Sequence, residues 1–236
     1  METRYVLHYA PDNASLVIRL ALEALDLPYE TVLVDRAARA QKSDAYRALN
    51  PNGLIPALKT PDGPIFETAA ILLWLADRHG HLAPAPDGPD RARFLSYLFF
   101  LSNTLHAALR ITFYPDQYIG HDSAAQTRLR AHLQGEISRH LDMVETEAAK
   151  GHGWLCGASP SAVDLYLACL LRWARLYPQP HGGNGWFSLP NWPQLHAMAT
   201  RLDQSKPALA AIKAEGLGPT PFSAPQLATP PEGSAT

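Results

Sequence analysis

The residue pattern changes character once along this chain, at a short segment rich in proline. Before it, strand-forming stretches alternate with helical patterns of apolar residues, whereas after it only helical patterns recur. The segment itself, residues 81–90, holds three prolines and one glycine, a composition typical of a linker. The sequence therefore predicts an α/β domain over residues 1–80 and an all-helical domain over residues 91–215.

The first domain is predicted to follow the order β-α-β-α-β-β-α. Its elements are expected at residues 4–9 (strand), 15–25 (helix), 29–34 (strand), 36–49 (helix), 55–58 and 65–66 (strands), and 69–79 (helix). Proline cannot donate to a β-ladder, so Pro56 is expected to precede the third strand. Pro61, Asp62 and Gly63 predict the turn of a hairpin, and Thr68 is expected to cap the last helix.

The second domain shows long helical patterns separated by turn residues. They cover residues 91–114, 123–149, 161–177 and 191–213, the last with an interruption at Pro207. Residues 216–236 contain five prolines, one charged residue and few apolar ones. Such a segment buries too little surface to order itself, so this tail is expected to be disordered or loosely laid over the surface.

Composition excludes several classes of function. Lys and Arg total 20 against 22 Asp and Glu, so no basic face for nucleic acid is expected. The longest apolar run, residues 165–171, is far shorter than the roughly 18 residues that cross a bilayer, and no membrane association is expected. The amino terminus has no signal-peptide pattern, and two cysteines are too few for a disulfide framework. We therefore expect a cytoplasmic protein.

The ten histidines do not suggest a metal site. Neither His79 with His81 nor His132 with His140 has the spacing and the acidic or cysteine partners that zinc requires. No bound metal is expected.

Three motifs in order along the chain resemble those of one enzyme family. They are Asn50-Pro-Asn-Gly-Leu-Ile-Pro-Ala-Leu58, then Glu67-Thr68 opening a helix that ends with Trp74-Leu-Ala-Asp77, and Ser161-Ala-Val-Asp164-Leu-Tyr-Leu. This set resembles cytosolic glutathione S-transferases, most closely the bacterial beta-like and theta-like members, over about residues 4–205. The resemblance implies a thioredoxin-like first domain, with Ser161 and Asp164 as a capping pair in the second.

The resemblance implies where glutathione would bind. The peptide bond between Ile55 and Pro56 would be cis, with the Ile55 backbone pairing with the cysteinyl part of glutathione. The helix start at Thr68 would hold the γ-glutamyl carboxylate, while the Glu67 carboxylate faces the ammonium group. Asn52, in the same motif as Pro56, is counted among the glutathione-binding residues.

The sequence offers several groups that could activate the thiol. By similarity to the beta class, the catalytic cysteine would fall on Ala14. A hydroxyl on Ser15 is the first candidate to stabilise the thiolate, and Tyr9 or backbone N–H groups are the alternatives. Asp12 occupies the position of the serine in some serine-type members, but a carboxylate would repel a thiolate.

The helical domain would supply the remaining site residues. His106 lies in a segment that resembles the beta-class segment whose histidine reaches the sulfur, although the lysine that follows it in that class is Ala107 here. Phe113 and Tyr114 are expected to line an apolar pocket for the second substrate. Each of these aromatic residues could equally belong to the core.

The function implied is glutathione transfer, with glutathione as co-substrate and a small hydrophobic electrophile as second substrate. A homodimer is also implied. Two alternatives remain open at this point: a non-catalytic glutathione-binding or scaffold protein of the same fold, and a glutathione-dependent disulfide reductase or peroxidase. The missing cysteine at Ala14, the missing lysine at Ala107 and the apolar Leu54 favour the non-catalytic alternative.

Overall fold

Four strands form one mixed sheet in the first third of the chain. A computed structural model describes residues 5–178 and 184–235. Its strands are β1 (Tyr5–Tyr9), β2 (Tyr29–Leu33), β3 (Ala57–Thr60) and β4 (Gly63–Phe66), in the spatial order β2-β1-β3-β4. β1 pairs with β2 in parallel, and the pairs β1–β3 and β3–β4 are antiparallel. The predicted hairpin is confirmed, and Pro56 immediately precedes β3.

Three helices complete this part: α1 (Ser15–Ala24), α2 (Asp44–Arg47) and α3 (Thr68–His79). The predicted order β-α-β-α-β-β-α is thus confirmed. The helix expected over residues 36–49 is largely absent, because Arg39 takes a left-handed φ of 56° and only a 3₁₀ turn at Ala40–Lys42 precedes the short α2. Thr68 is the first residue of α3 and not its cap, since Glu67 occupies the cap position.

The second part of the described chain contains helices and no strand. They are α4 (Arg91–Phe100), α5 (Ala107–Phe113), α6 (Asp116–Ile119), α7 (Ser123–Ala148), α8 (Ala162–Leu176), α9 (Pro193–Asp203) and α10 (Lys206–Glu215). A π-helical segment, Leu101–His106, joins α4 to α5 without a break, so the helix predicted over 91–114 is one continuous rod. The break predicted near Pro207 separates α9 from α10.

Helix α8 is the centre of the helical part. Ser161 and Asp164 form the expected capping box at its start, in which each side chain accepts from the other residue's backbone N–H. Nearly every residue of α8 is buried, including Arg172, whose side chain is fully enclosed. One large apolar core extends from α1 and the sheet through α8 to the last helices, and Val34, Tyr46 and Ala57 form a separate small cluster. The division into two domains at residues 81–90, which hold neither helix nor strand, therefore stays a prediction.

The tail departs from the sequence prediction. Residues 217–235 pack against the rest of the molecule, with Leu217 and Phe222 fully buried in the core. Asp203 accepts the backbone N–H groups of Phe222 and Ser223. The expectation of a disordered or loose tail is wrong for these residues, because two apolar anchors and hydrogen bonds from distant side chains offset its low apolar content.

No helix in the described ranges is both long enough and apolar enough to cross a bilayer.

Candidate functional site

A cavity of about 590 Å³ opens between the sheet part and the helical part. The starts of α1 and α3 border it on one side, and α5, α8 and the chain end border it on the other. Its lining residues include Asp12, Asn13, Ala14, Arg36, Lys42, Asn50, Gly53, Leu54, Ile55, Pro56, Glu67, Thr68, Ser102, His106, Arg110, Phe113, Tyr114, Tyr166, Trp173, Tyr177 and Ala235. The cavity therefore has a polar side rich in backbone groups and an aromatic side.

The polar side includes the loop that precedes β3, and hydrogen bonds between residues of this loop fix its shape. The Asn50 side chain donates to the carbonyl of Leu54 over 2.7 Å, and Gly53 adopts a left-handed φ of 61° that favours glycine. The bond between Ile55 and Pro56 is cis, as predicted. The loop thus presents its backbone at the cavity in a fixed shape.

The start of α3 faces the same side of the cavity. Glu67 precedes the helix with φ 69° and ψ 118°, a conformation rare for a residue with a side chain. Strain of this kind persists only where surrounding contacts hold it, and it concentrates at functional sites. Thr68 is buried at the first helical position, where backbone N–H groups lack helical partners and attract anions. This helix start can hold a carboxylate.

Thr68 belongs to a set of uncharged hydrogen-bonding groups that we call the neutral network: Thr68, Ser102, His106 and Tyr166. The Tyr166 hydroxyl and the His106 Nδ1 lie 2.7 Å apart, and that hydroxyl also interacts with the side chains of Ser102 and Thr68. Burial, with a smaller contribution from the Arg110 charge, lowers the pKa of His106 to about 4. The imidazole is therefore neutral near pH 7 and can serve as a hydrogen-bond donor or acceptor.

The start of α1 faces the cavity next to the cis-proline loop. Asn13 and Ala14 line the cavity there, and the Asn13 Oδ1 accepts the Ala14 N–H over 2.8 Å. No side chain caps α1, because the cap position is Ala14. The positive end of α1 and the NH₂ group of the Asn13 amide thus lie at the cavity, while the Ala14 N–H is already bound by Asn13 Oδ1.

Ser15, the residue predicted to activate the thiol, does not line this cavity. Its side chain is fully buried, donating to the Ala10 carbonyl over 3.0 Å and accepting the Ala10 N–H over 3.2 Å. The hydroxyl holds the turn between β1 and α1 closed and faces away from the cavity. The alternative, Tyr9, is buried as well and donates its hydroxyl to Glu232 of the tail. Neither hydroxyl is placed for the predicted role.

Asp12 is the centre of a second set, which we call the charged network: Asp12, Arg19, Arg172, Trp173, Tyr177 and Glu215. Arg172 donates to both Asp12 carboxylate oxygens at 2.8 Å, and neither side chain is exposed. Trp173 Nε1 and the Tyr177 hydroxyl donate to the same carboxylate at 2.9 and 2.8 Å. The negative charge of Asp12 is thus compensated.

The backbone of Asp12 is fixed by the same network. Its N–H donates to Glu215 Oε2 over 2.8 Å, and Glu215 pairs with Arg19 at 2.7 Å. Asp12 itself has a left-handed φ of 48°, which aspartate tolerates better than most residues. Arg172 also donates to the tail carbonyls of Pro221 and Gln226. The charged network therefore ties the loop before α1 to α8, α10 and the tail.

The aromatic side comes from the helical part. Phe113, Tyr114, Trp173 and Tyr177 line it, with His106 at its border with the polar side. Two guanidinium groups, of Arg36 and Arg110, lie among these rings, and the carbonyl of Ala235 accepts from Arg36 over 3.0 Å. This side offers an apolar surface with positive charge at its edge.

The structure brings together seven of the nine predicted site residues: Ile55, Pro56, Glu67, Thr68, His106, Phe113 and Tyr114 line the cavity. Ser15 and Asn52 do not. Asn52 is exposed, and its backbone N–H donates to the Asn50 side chain, so it shapes the loop from outside.

Sequence reasoning missed Arg36, Arg110 and Tyr166, which line the cavity, and Arg172, which pairs with the lining residue Asp12. Helical spacing alone places Tyr166 and Arg172 on α8, but nothing local indicates which way they point. Arg172, flanked by apolar residues in the middle of a mostly apolar helix, is the one usable signal, since a buried charge requires a partner.

Within the described residues, no group of three or more His, Cys, Asp or Glu side chains is arranged to hold a metal ion. Both cysteines, Cys156 and Cys169, carry free thiols and lie outside the cavity lining.

Comparison with known proteins assigns both parts of the chain to one family. Residues 14–78 match the glutathione S-transferase N-terminal domain, and residues 126–197 match the glutathione S-transferase C-terminal domain. Glutathione S-transferase GST-4.5 of Xanthomonas campestris is 29% identical over 220 residues, which cover 89% of this chain and 98% of the relative. A maleylpyruvate isomerase of a Ralstonia species is 30% identical over 166 residues, covering 68% of this chain and 77% of the isomerase.

A sphingomonad glutathione S-transferase, solved in complex with glutathione, is similar in structure. Its TM-score is 0.72 at 32% identity, with 90% of this chain and 100% of that chain covered. The matches extend over both the sheet part and the helical part, and the observed strand order and helix arrangement agree with them. This chain therefore belongs to the glutathione S-transferase family.

Proposed function

We propose that the protein is a glutathione transferase that holds glutathione on the polar side of the cavity and an electrophile on the aromatic side. The observation that carries this proposal is the convergence of two helix starts and the Ile55–Pro56 loop on one cavity with an aromatic opposite side. Glutathione supplies the carboxylate, peptide and thiol groups that those three features are suited to bind.

Contacts to its γ-glutamyl group and to its cysteinyl unit orient glutathione in the cavity. The γ-glutamyl carboxylate accepts from the start of α3 and the Thr68 hydroxyl, and its ammonium pairs with Glu67. The backbone of Ile55 pairs with the cysteinyl unit. This arrangement directs the thiol toward the start of α1.

The thiol is activated by the start of α1, in place of the serine hydroxyl expected from the sequence. The thiolate is the nucleophile, and a free thiol with a pKa near 8.5 is only a few per cent ionised at pH 7. The Asn13 amide and the positive end of α1 donate to the sulfur, and the neutral imidazole of His106 contributes from the helical side. Because Asp12 is paired with Arg172, its carboxylate does not oppose the thiolate.

The second substrate lies against Phe113, Tyr114 and Trp173. The thiolate attacks its electrophilic atom, a sulfur–carbon bond forms and the leaving group departs with the electron pair. The proposal includes a homodimer, as the family resemblance implies, and a location in the cytoplasm, as expected from the sequence.

The proposal is tested by measuring glutathione affinity calorimetrically and turnover with 1-chloro-2,4-dinitrobenzene. Glu67→Gln should weaken glutathione binding by about 2–5 kcal/mol, because the ligand ammonium then lies in a partly desolvated site without its counter-charge. Thr68→Val should weaken it by about 1 kcal/mol through the lost hydroxyl. Glu136→Gln, at a half-exposed position on α7 outside the cavity lining, is the matched control and should bind normally.

Three results would separate the alternatives. Glutathione affinity that is indifferent to both Glu67 and Thr68 contradicts the proposed binding mode. Tight binding without turnover of halides, epoxides, hydroperoxides or mixed disulfides identifies a non-catalytic binding protein. Turnover of hydroperoxides or mixed disulfides alone assigns the peroxidase or reductase activity.

A further inference from the structure

Within the described part of the chain, two guanidinium groups on the aromatic side of the cavity hydrogen-bond only to uncharged groups. Arg110 donates to the Tyr118 hydroxyl over 3.1 Å and approaches Gln117 Oε1 at 3.5 Å. Arg36 donates to the Ala235 carbonyl over 3.0 Å and the Tyr114 hydroxyl over 3.2 Å. Among the described residues, no carboxylate pairs with either group.

Arg36 and Arg110 are half-buried, and the three buried arginines of the described chain have acidic partners instead. Arg19 pairs with Glu215, Arg91 with Asp77 and Arg172 with Asp12, each at 2.7 or 2.8 Å. A guanidinium presents a planar set of donors that matches a carboxylate, and charge-assisted hydrogen bonds are about twice as strong as neutral ones. Arg36 and Arg110 therefore retain unused capacity for an anion inside a cavity.

The guanidinium groups of Arg36 and Arg110 both contact Tyr114. The guanidinium carbon of Arg110 lies 5.6 Å from the centroid of the Tyr114 ring, and Arg36 donates to the hydroxyl of that ring. The positive charges thus lie at the edge of the surface against which an electrophile would pack.

The other charges lining the cavity do not cancel them. Asp12 is neutralised by Arg172, and Glu67 faces the ammonium of glutathione in the proposed binding mode. Lys42 lies against Gly53 on the polar side, where it is available for a carboxylate of glutathione itself. The cavity therefore has an excess of positive charge on its aromatic side.

We infer that the electrophile accepted by this cavity is an aromatic or conjugated carboxylate, and that Arg110, assisted by Arg36, determines this specificity. The inference rests on the proposed function and adds the substrate class. The apolar part of the substrate packs on Tyr114 and Phe113, and its carboxylate replaces the weak neutral partners of Arg110. Uncharged electrophiles of the same shape bind without that contribution.

The inference is tested with two product-like conjugates that differ only in charge, S-(4-carboxy-2-nitrophenyl)glutathione and S-(4-carbamoyl-2-nitrophenyl)glutathione. Their dissociation constants are measured calorimetrically near pH 7 for the wild type, Arg110→Gln, Arg110→Lys and Arg36→Gln. Arg175→Gln, at an exposed position on α8, is the control and should match the wild type.

The wild type should bind the carboxylate conjugate about 10-fold to 100-fold more tightly than the amide. Arg110→Gln should remove this preference and leave the amide within about 2-fold, and Arg110→Lys should keep part of it. The ratio of kcat/KM for 4-chloro-3-nitrobenzoate over its amide, in which sulfur displaces chloride, should fall by the same factor in Arg110→Gln.

Equal affinity of the wild type for the two conjugates would overturn the inference and leave glutathione binding intact. An equal loss for both conjugates in Arg110→Gln would also overturn it, by assigning Arg110 to glutathione or to folding. If neither conjugate nor glutathione binds, the proposed function itself fails, and the substrate class fails with it.

Discussion

The two helix starts that border the cavity are held in different ways. The start of α3 is supported by the neutral network, in which Tyr166 joins Thr68 to His106 through uncharged groups. The start of α1 is supported by the charged network, in which the buried carboxylate of Asp12 is bound by Arg172. The start of α3 thus depends on hydroxyl and imidazole groups, whereas the start of α1 depends on ion pairs.

The difference has a chemical reason in the proposed mechanism. The start of α3 binds a ligand that carries both a carboxylate and an ammonium, so neutral supporting groups leave that charge balance undisturbed. The start of α1 must favour a thiolate, and a loop fixed by paired charges holds its donors in place without presenting a free anion. The comparison predicts that the two ends respond differently to mutation and pH.

The largest effect should come from breaking the charged network. Arg172→Met leaves the Asp12 carboxylate buried without its counter-charge, so the free energy of unfolding in urea should fall by about 3–5 kcal/mol. Asp12→Asn combined with Arg172→Met should be more stable than Arg172→Met alone, because the stranded charge is removed. Arg175→Met on the same helix should change stability by less than about 0.5 kcal/mol. A similar loss in Arg175→Met would refute the role of the ion pair.

A second effect concerns the tail that closes over the charged network. Phe222 is 1% exposed, so Phe222→Ala should lower the free energy of unfolding by about 3–5 kcal/mol through lost burial and the cavity left behind. Leu227, which is 51% exposed in the same segment, is the control, and Leu227→Ala should have almost no effect. Equally small effects of Phe222→Ala and Leu227→Ala would support the loose tail that the sequence predicts.

The third prediction concerns His106 of the neutral network, whose lowered pKa should make the free energy of unfolding depend on pH. Above pH 6.5 the His106 imidazole is neutral in both folded and unfolded states and makes no contribution. Between pH 6.5 and about 4, the unfolded chain binds a proton there and the folded protein does not, so stability falls by up to about 3 kcal/mol. His106→Asn should lack this part of the pH profile when its unfolding curves are compared with those of the wild type.

The two helix starts also differ in how well the sequence predicts them, and the start of α3 is predicted better. The cis-proline loop, Glu67 and Thr68 lie within 20 residues of one another, and local motifs that resemble a known family suffice to predict that they share a site. The fold follows equally well, since the strand and helix patterns and the Ser161–Asp164 capping box are local signals.

The start of α1, which is proposed to activate the thiol, is predicted less well because its geometry depends on residues distant in the sequence. Asp12 reaches Arg172 and Glu215, 160 and 203 positions away, and no spacing in the sequence indicates those pairings. The sequence favours Ser15 because its hydroxyl stands next to Ala14, yet the turn after β1 uses that hydroxyl for Ala10. Average composition predicts a loose tail because it conceals the two apolar anchors, Leu217 and Phe222.

The most direct test of the account is the titration of the glutathione thiol bound to the protein, followed by thiolate absorbance in the ultraviolet. The start of α1 with Asn13 should lower the pKa of the bound thiol at least about one unit below its ordinary value near 8.5, and Asn13→Ala should raise it again by about one unit, or 1.4 kcal/mol. Ser15→Ala, whose hydroxyl faces Ala10, should leave that pKa unchanged. A raised thiol pKa in Ser15→Ala with an unchanged one in Asn13→Ala would contradict the account.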